Sequence, residues 1–429
     1  MDRRNAIGKL LGTALWSLSG LALSQDTEQT TRLSRKVINI QDLGADPSGK
    51  RDSTNALQEA INRLTKSGGQ IYIPEGVYLI SRTLEMINPE NARGPAILFY
   101  GDGEQVSVLQ SAVQSGPLLR IRGVPVKGPI SSTFFRGGGM RDLGFDGDNG
   151  GPEHDALEVL GWWHAELSHI RITRFSRHGI RAITDRAINA NPDFTAPVLF
   201  LRSVLIERCG GWGFIDDGGP QGAPAWSWDR CIFSLCYRGG AYIQSSSHSF
   251  TKCAFSGCGW QSETTAPAKE AWGLFFDGSV TATSRQWVEG CEFDTNLTAH
   301  IGARFLSSST FANNRFIFND RCRAGRLCPS AGVQFGVGDA RAAVRSVEFS
   351  QSIFRFDKGG EAVGFDWVNT ANVRDIEIRS SIFSDNSKNT LALTRYRGNN
   401  PGGRGEEFGY VIRDRDRSSN RQPAPRTAD

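Results

Sequence analysis

Leu199-Phe200-Leu201-Arg202-Ser203-Val204-Leu205-Ile206 lies without a gap over Trp226-Ser227-Trp228-Asp229-Arg230-Cys231-Ile232-Phe233, and that in turn over His248-Ser249-Phe250-Thr251-Lys252-Cys253-Ala254-Phe255. Each stretch carries an alternating apolar pair, a short gap and a second apolar-x-apolar pair. This is the pattern of short strands with one buried face. Ala165/Leu167 with Ile170/Ile172, Val288 with Cys291/Phe293, Val347/Phe349 with Ser352/Phe354 and Ile376/Ile378 with Ser381/Phe383 repeat it. A poorer copy surrounds Phe311 and Phe316. Copies recur every 22 to 38 residues, about 30 on average. Short strands that cannot bury a face alone, repeated in this way, predict a solenoid whose length variation falls in turns.

Three positions after the last apolar residue of the units stand Cys209, Cys236, Cys258, Asn296, Asn319, Asp357 and Asn386. With Cys231, Cys253 and Cys291 they form two columns of small or amide residues at turns. Coils stacked ~4.8 Å apart let such side chains contact one another and bond up the ladder. Six cysteines thereby read as buried structural groups, with metal ligation the alternative; no C-x-x-C occurs. Cys322 and Cys328 enclose a polar loop suited to a local disulfide.

Upstream, Asp52 or Ser53 can cap a helix with Ala56, Leu57, Ala60, Ile61 and Leu64 on one face, stopped by Gly68-Gly69. Ile71, Ile73 and Val77 then alternate as a strand. Val37-Ile38-Asn39-Ile40-Gln41-Asp42-Leu43-Gly44-Ala45-Asp46, the helix, and Gly68-Gly69-Gln70-Ile71-Tyr72-Ile73-Pro74-Glu75-Gly76-Val77-Tyr78 together resemble the opening of the pectate-lyase superfamily. The resemblance implies an all-β fold: a single-stranded right-handed parallel β-helix over residues 37–395 with a short N-terminal capping helix. Polygalacturonases, polysaccharide lyases, β-1,3-glucanases and phage tailspikes share that fold, so it does not choose among their activities.

The chain has 429 residues with 49 Lys plus Arg against 45 Asp plus Glu. Its 22% charged residues, 49 Gly and 10 Trp exclude a coiled coil and a disordered chain. The body between residue 24 and Arg395 carries a net charge of −1, so net charge implies no nucleic-acid partner. Asp2-Arg3-Arg4-Asn5, the apolar run Ile7–Leu23 and Ala22-Leu23-Ser24 read as a cleaved export signal over residues 1–24. The paired arginines resemble a twin-arginine signal, with Ala6 where that class places a bulky residue; a Sec signal is the alternative. Residues 25–36 read as a linker. Residues 396–429, rich in Gly, Pro, Arg and Asp, read as a disordered tail. The mature protein is expected in the periplasm or outside the cell, without a membrane span, its oligomeric state open.

Each unit continues into a second short strand, Leu157/Val159, Ile180/Ala182, Phe214, Tyr242, Leu274/Phe276 and Ile301/Ala303, whose residues read as pointing inward, and beside these strands three constellations carry the chemistry. Asp155, His178 and Trp212 fall on successive coils, where a carboxylate could orient an imidazole beside a flat ring for a sugar. Arg177-His178-Gly179-Ile180 partly resembles the Gly-His-Gly of polygalacturonases. That family's paired aspartates are here His154-Asp155, however, and neither Asn-Thr-Asp nor Arg-Ile-Lys is found, which argues against that activity. Asp216-Asp217 and Asp277, two coils on, offer carboxylates at a separation suited to an inverting glycosidase, although Gly-rich turns would use the same residues. Glu158 beside Arg181, with Trp272, His300 and Arg304 further along, could bind uronates and stack on sugars, or form an ion-pair ladder over core aromatics. Trp226 and Trp228 fall on inward columns and read as core. Asp146-Gly147-Asp148-Asn149 lacks the spacing of a Ca²⁺ loop.

These readings converge on an exported enzyme that cleaves a polysaccharide. Hydrolysis would use Asp217 and Asp277, with Asp155 and His178 as the competing centre and Arg177, Arg181, Trp212, Asp216, Trp272, His300 and Arg304 holding the chain. The alternatives are uronate lysis or epimerisation, for which the resemblance would admit Ca²⁺ with no ligands identifiable, and a non-catalytic glycan-binding scaffold. No other cofactor is implied.

Overall fold

The computed structural model describes residues 36–88, 94–123, 135–183, 199–217, 226–260, 267–278, 283–318, 331–338, 341–356, 363–368, 372–385, 394–396 and 410–413. The export segment, Asn319, the Cys322/Cys328 loop, Asp357, Asn386 and most of the tail lie outside the described residues.

The internal repeat of the sequence is the register of the fold. Ala165, Leu167, Ile170 and Ile172 pair with Leu199, Leu201, Val204 and Ile206. Trp228 and Phe233 stand on Leu201 and Ile206, Phe250 and Phe255 on those, and Val288 and Phe293 on those again. These ladders are parallel, and they form a broad sheet of 22 strands and a narrow sheet of 11 among the described residues. Each coil from Ala165 on gives two strand segments to the broad sheet and one to the narrow sheet. The winding is a right-handed parallel β-helix, the hand that parallel crossovers take.

Between the two broad-sheet segments the backbone bends through one residue in the left-handed region. His169, Ser203, Arg230, Lys252, Asn313, Gln351 and Ser380 fill that place with φ between 47° and 57°, a conformation unfavourable for residues with a Cβ. The coil corner beside it holds the predicted cysteine–amide column. The backbone N–H of Cys253 donates to Cys291 Sγ at 3.4 Å, that of Cys291 to Asn314 Oδ1 at 2.9 Å, and that of Asn314 to Ser352 Oγ at 3.3 Å. At the second column Cys258 N–H donates to Asn296 Oδ1 at 3.2 Å. Corner N–H groups that the strands leave unpaired are thus satisfied by the next coil's side chain. All six column cysteines are free and buried, and burial pushes the Cys253 and Cys258 thiols up.

Inside, Phe233, Phe255, Phe293, Phe316 and Phe354 stack ring on ring, with centroid separations of 4.9, 5.0, 5.1 and 4.4 Å. Trp226 and Trp228 are core, as predicted. The helix Thr54–Leu64 buries Ala56, Leu57, Ala60, Ile61 and Leu64. Of its two candidate caps it uses Asp52, whose Oδ1 accepts the Thr54 N–H at 3.0 Å, while Ser53 makes no side-chain cap bond.

Three expectations are corrected. Val77 faces outward and Tyr78 and Ile80 are buried, because Gly76 shifts the alternation by one. Tyr242 points out of the coil, since its neighbours Ala241 and Ile243 align with the inward Leu274 and Phe276. Tyr410–Arg413, within the stretch read as a disordered tail, pairs with Ile376–Arg379 and adds a strand to the broad sheet.

Truncating the middle ring of the phenylalanine stack, Phe293→Ala, should remove about 3–5 kcal/mol of stability. Denaturant unfolding of wild type and variant measures it.

Candidate functional site

The narrow sheet turns one layer of side chains inside: Phe214, Ala241, Leu274 and Ile301 are in register and buried. The alternate residues face outward in columns that run across the coils. One column reads Glu85, Arg120, Glu158, Arg181, Ile215, Tyr242, Phe275. Its first half is an ion ladder. Arg120 reaches Glu85 at 2.7 Å and Glu158 at 2.6 Å, and Arg181 spans Glu158 at 3.8 Å and Asp217 at 2.5 Å. Its second half is aromatic, with Tyr242 and Phe275 stacked 5.7 Å apart.

The next outward column carries the carboxylates. Continuing the pairs Ile215↔Tyr242 and Ile243↔Phe276 along their strands places Asp217, Gln244 and Asp277 on three successive coils, with Arg304 on the fourth. Asp277 accepts hydrogen bonds from the Tyr242 hydroxyl and from Arg304 at 2.8 Å, and Gln244 Nε2 donates to the same hydroxyl at 3.2 Å. Burial and the Asp277 carboxylate push the Tyr242 hydroxyl well above its ordinary value, so it stays a donor. The predicted pair is therefore brought to one row, and the structure adds Tyr242 and Gln244. Sequence reasoning missed both. The register of Ala241 with Phe214 was the available signal for Tyr242; Gln244 had none.

Trp212 and Trp272 stand three residues before Ile215 and Phe275 of the first column, each laid against a glycine of the following coil. A Cβ on Gly239 would come within 1.9 Å of the Trp212 ring, and one on Gly302 within 2.7 Å of Trp272. Both rings are 7% exposed. They floor the face under Tyr242 and Phe275 and do not present an open stacking surface, a correction to their expected role. Trp212 lies 5.2 Å from Tyr242, Trp272 lies 4.4 Å from Phe275, and Trp272 Nε1 donates to Gln334 at 3.1 Å.

The Asp155–His178–Trp212 column exists, but its polar atoms are engaged with backbone. Asp155 accepts the His178 N–H at 2.9 Å, and His178 Nδ1 accepts the Trp212 N–H at 3.0 Å. Arg177 stands 3.6 Å from Asp155. Burial raises the Asp155 carboxyl. Burial, with the nearby Arg177, Arg181 and Arg238, lowers His178 from 6.5 to about 3. Two further candidates are corrected outright. His300 is buried among Phe293, Phe316 and Phe318, 3.1 Å from Asn296, because its place in the coil turns inward where neighbouring coils carry Gly273 and Gly332. Asp216 is also inside, fully buried, as strand alternation with Asp217 demands. Asp146 and Asp148 hold Arg174. Among the described residues no group of three or more His, Cys, Asp or Glu is arranged to hold a metal ion.

A family model described as rhamnogalacturonase A/epimerase, pectate lyase-like, matches residues 37–178. No curated protein matches the chain. Among solved structures, the catalytic unit of a GH87 alpha-1,3-glucanase from Streptomyces thermodiastaticus strain HF3-3 superposes with a TM-score of 0.53 at 13% identity, over 88% of this chain and 68% of that one. The A-module of the Azotobacter vinelandii mannuronan C-5 epimerase AlgE4 does so with 0.51 at 14% identity, over 88% of this chain and all of that one. ORF18 of Geobacillus virus E2 gives 0.52 at 13% identity over 84% of this chain, which spans only 59% of that protein. The chain shares the parallel β-helix fold of these structures. The stretch matched by the family model ends at His178, so Asp217, Tyr242 and Asp277 lie beyond it.

Burial also lowers His300 from 6.5 to about 3. Between those values the unfolded imidazoles of His178 and His300 bind protons that the folded ones refuse. Stability is therefore lost as pH falls through that window; the raised Asp155 works in the opposite sense. Denaturant midpoints should drop from pH 7 to pH 4, and more shallowly in His300→Gln.

Proposed function

We propose that this chain is an exported, periplasmic or secreted glycoside hydrolase that cleaves a polysaccharide laid across the coils of the narrow sheet. The observation that carries the reading is the row Asp217–Gln244–Asp277, in register on three coils beside an apolar floor. Two coil spacings put the carboxylates about 9.6 Å apart, at the upper end of the separation that leaves room for a water between acid and base. Asp277, fixed by Tyr242 and Arg304, serves as the base that activates water. Asp217, exposed at the end of its strand and paired with Arg181, serves as the acid that protonates the leaving oxygen. Arg177, Arg181 and Arg304 bind substrate oxygens. The glucanase and the epimerase among the solved relatives are both named for acting on glycans, which supports the substrate class.

The cluster Tyr242–Asp277–Arg304 favours a second reading, uronate lysis or epimerisation, in which Arg304 would neutralise the carboxylate and the Tyr242–Asp277 pair would move the C5 proton. The described residues offer no Ca²⁺ cage for it, and no step is derived through that ion.

Residues 25–429 should release reducing ends from a neutral or acidic polysaccharide without the ultraviolet absorbance of an unsaturated uronate. Asp217→Asn and Asp277→Asn should each lower turnover by about 10²–10⁴-fold. Absorbance rising with the reducing ends would select elimination. Full activity in both variants would overturn the assignment, and tight glycan binding without turnover would leave a scaffold.

A further inference from the structure

Beneath the carboxylate row, one inward column of the narrow sheet is interrupted by a carboxylate. The inward column that ends the narrow-sheet strands reads Met86, Ile121, Val159, Ala182, Asp216, Ile243, Phe276, Ala303, Phe335, Trp367. Asp216 is its one charged member, and it sits on the coil that carries Asp217. Burying a carboxylate costs several kcal/mol unless it is well bonded. Asp216 Oδ2 accepts the Ser245 hydroxyl and the Gln244 backbone N–H, the latter at 3.3 Å. Ser245 Oγ lies 3.0 Å from His248 Nε2. Because the single Ser245 proton goes to the carboxylate, His248 is the donor in that contact, which fixes its tautomer.

Asp216, Ser245 and His248 are all without exposed surface, so none of them touches a polysaccharide. The network continues inward. His248 N–H donates to Gln286 Oε1 at 3.1 Å, Gln286 Nε2 donates to the Ser245 carbonyl at 2.7 Å, and Gln286 N–H donates to Ser309 Oγ at 3.0 Å. Its outer end grips the row itself. Asp216 precedes Asp217, Ser245 follows Gln244, and the Gln244 amide is one of the bonded groups.

We infer that Asp216, Ser245 and His248 are positioning residues that fix the backbone under Asp217 and Gln244, and through the Gln244–Tyr242 contact the orientation of Asp277. The inference rests on the hydrolase reading for its kinetic consequence and on geometry alone for its structural one. A plain core role would cost only stability.

The test uses Ser245→Ala and the isosteric Asp216→Asn in the mature chain, with hydrogen exchange at the Gln244 amide and steady-state kinetics on the glycan that the wild type cleaves. Positioning predicts at least tenfold faster Gln244 exchange in Ser245→Ala under conditions where global exchange is unchanged. It also predicts a kcat loss approaching 10²-fold per folded molecule with little change in KM, the scale of a ~1 Å misplacement, and a smaller loss in Asp216→Asn. Unchanged Gln244 exchange, or activity lost only in proportion to unfolded protein, would overturn it. The two failures separate cleanly. Loosened exchange in Ser245→Ala with a fully active Asp217→Asn sinks the hydrolase assignment and leaves the network; an inactive Asp217→Asn with Ser245→Ala unchanged in both readouts sinks the network alone.

Discussion

Everything in this molecule depends on vertical register. Parallel strands stacked at ~4.8 Å bring each residue over its counterpart one coil down, so a side chain is selected less by its neighbours along the chain than by those above and below. That constraint yields the phenylalanine stack, the cysteine–amide corners and the left-handed bend residues alike. A side chain that suits one coil makes its own position more favourable in the next, which is why the interior is built of columns and not of a mixed core.

The same register writes chemistry on the outside. Along the outward columns of the narrow sheet, charge alternates from Glu85 to Arg181 and Asp217, then gives way to aromatic rings, then to Asp277 with Arg304. Alternating charges neutralise one another locally, so the face carries many ions and little net potential. A glycan would find paired groups in place of a single attracting charge, and its affinity would rest on contact and hydrogen bonds.

The fold was legible because strand-to-strand period survives in the sequence. The spacing of Leu201, Trp228, Phe250 and Val288 states the register directly. The site was half legible. Asp217 and Asp277 could be placed on one row because their strands could be counted, but inward and outward could not be told apart at strand ends. Tyr242, hydrophobic enough for the core, was read as inward, and Asp216 and His300, polar enough for solvent, as outward. The first two reverse a single alternation step that the pairing of Ala241 or Phe214 decides, whereas His300 stands beside the inward Ile301, level with Gly273 and Gly332, where alternation does not hold. The strand Tyr410–Arg413 was hidden for a different reason, since its flanks are too polar and Gly-rich to announce it.

The helix Thr54–Leu64 has one more consequence. A solenoid's first coil offers bare backbone groups and an open apolar bore, the same surfaces its own coils use to recognise one another, and a second molecule could dock there and propagate a fibre. By laying Leu57, Ile61 and Leu64 across that end, the helix makes the stack grow in one direction only. The molecule therefore carries its own chain terminator at the N-terminal end, and any end-to-end assembly would have to begin at the other.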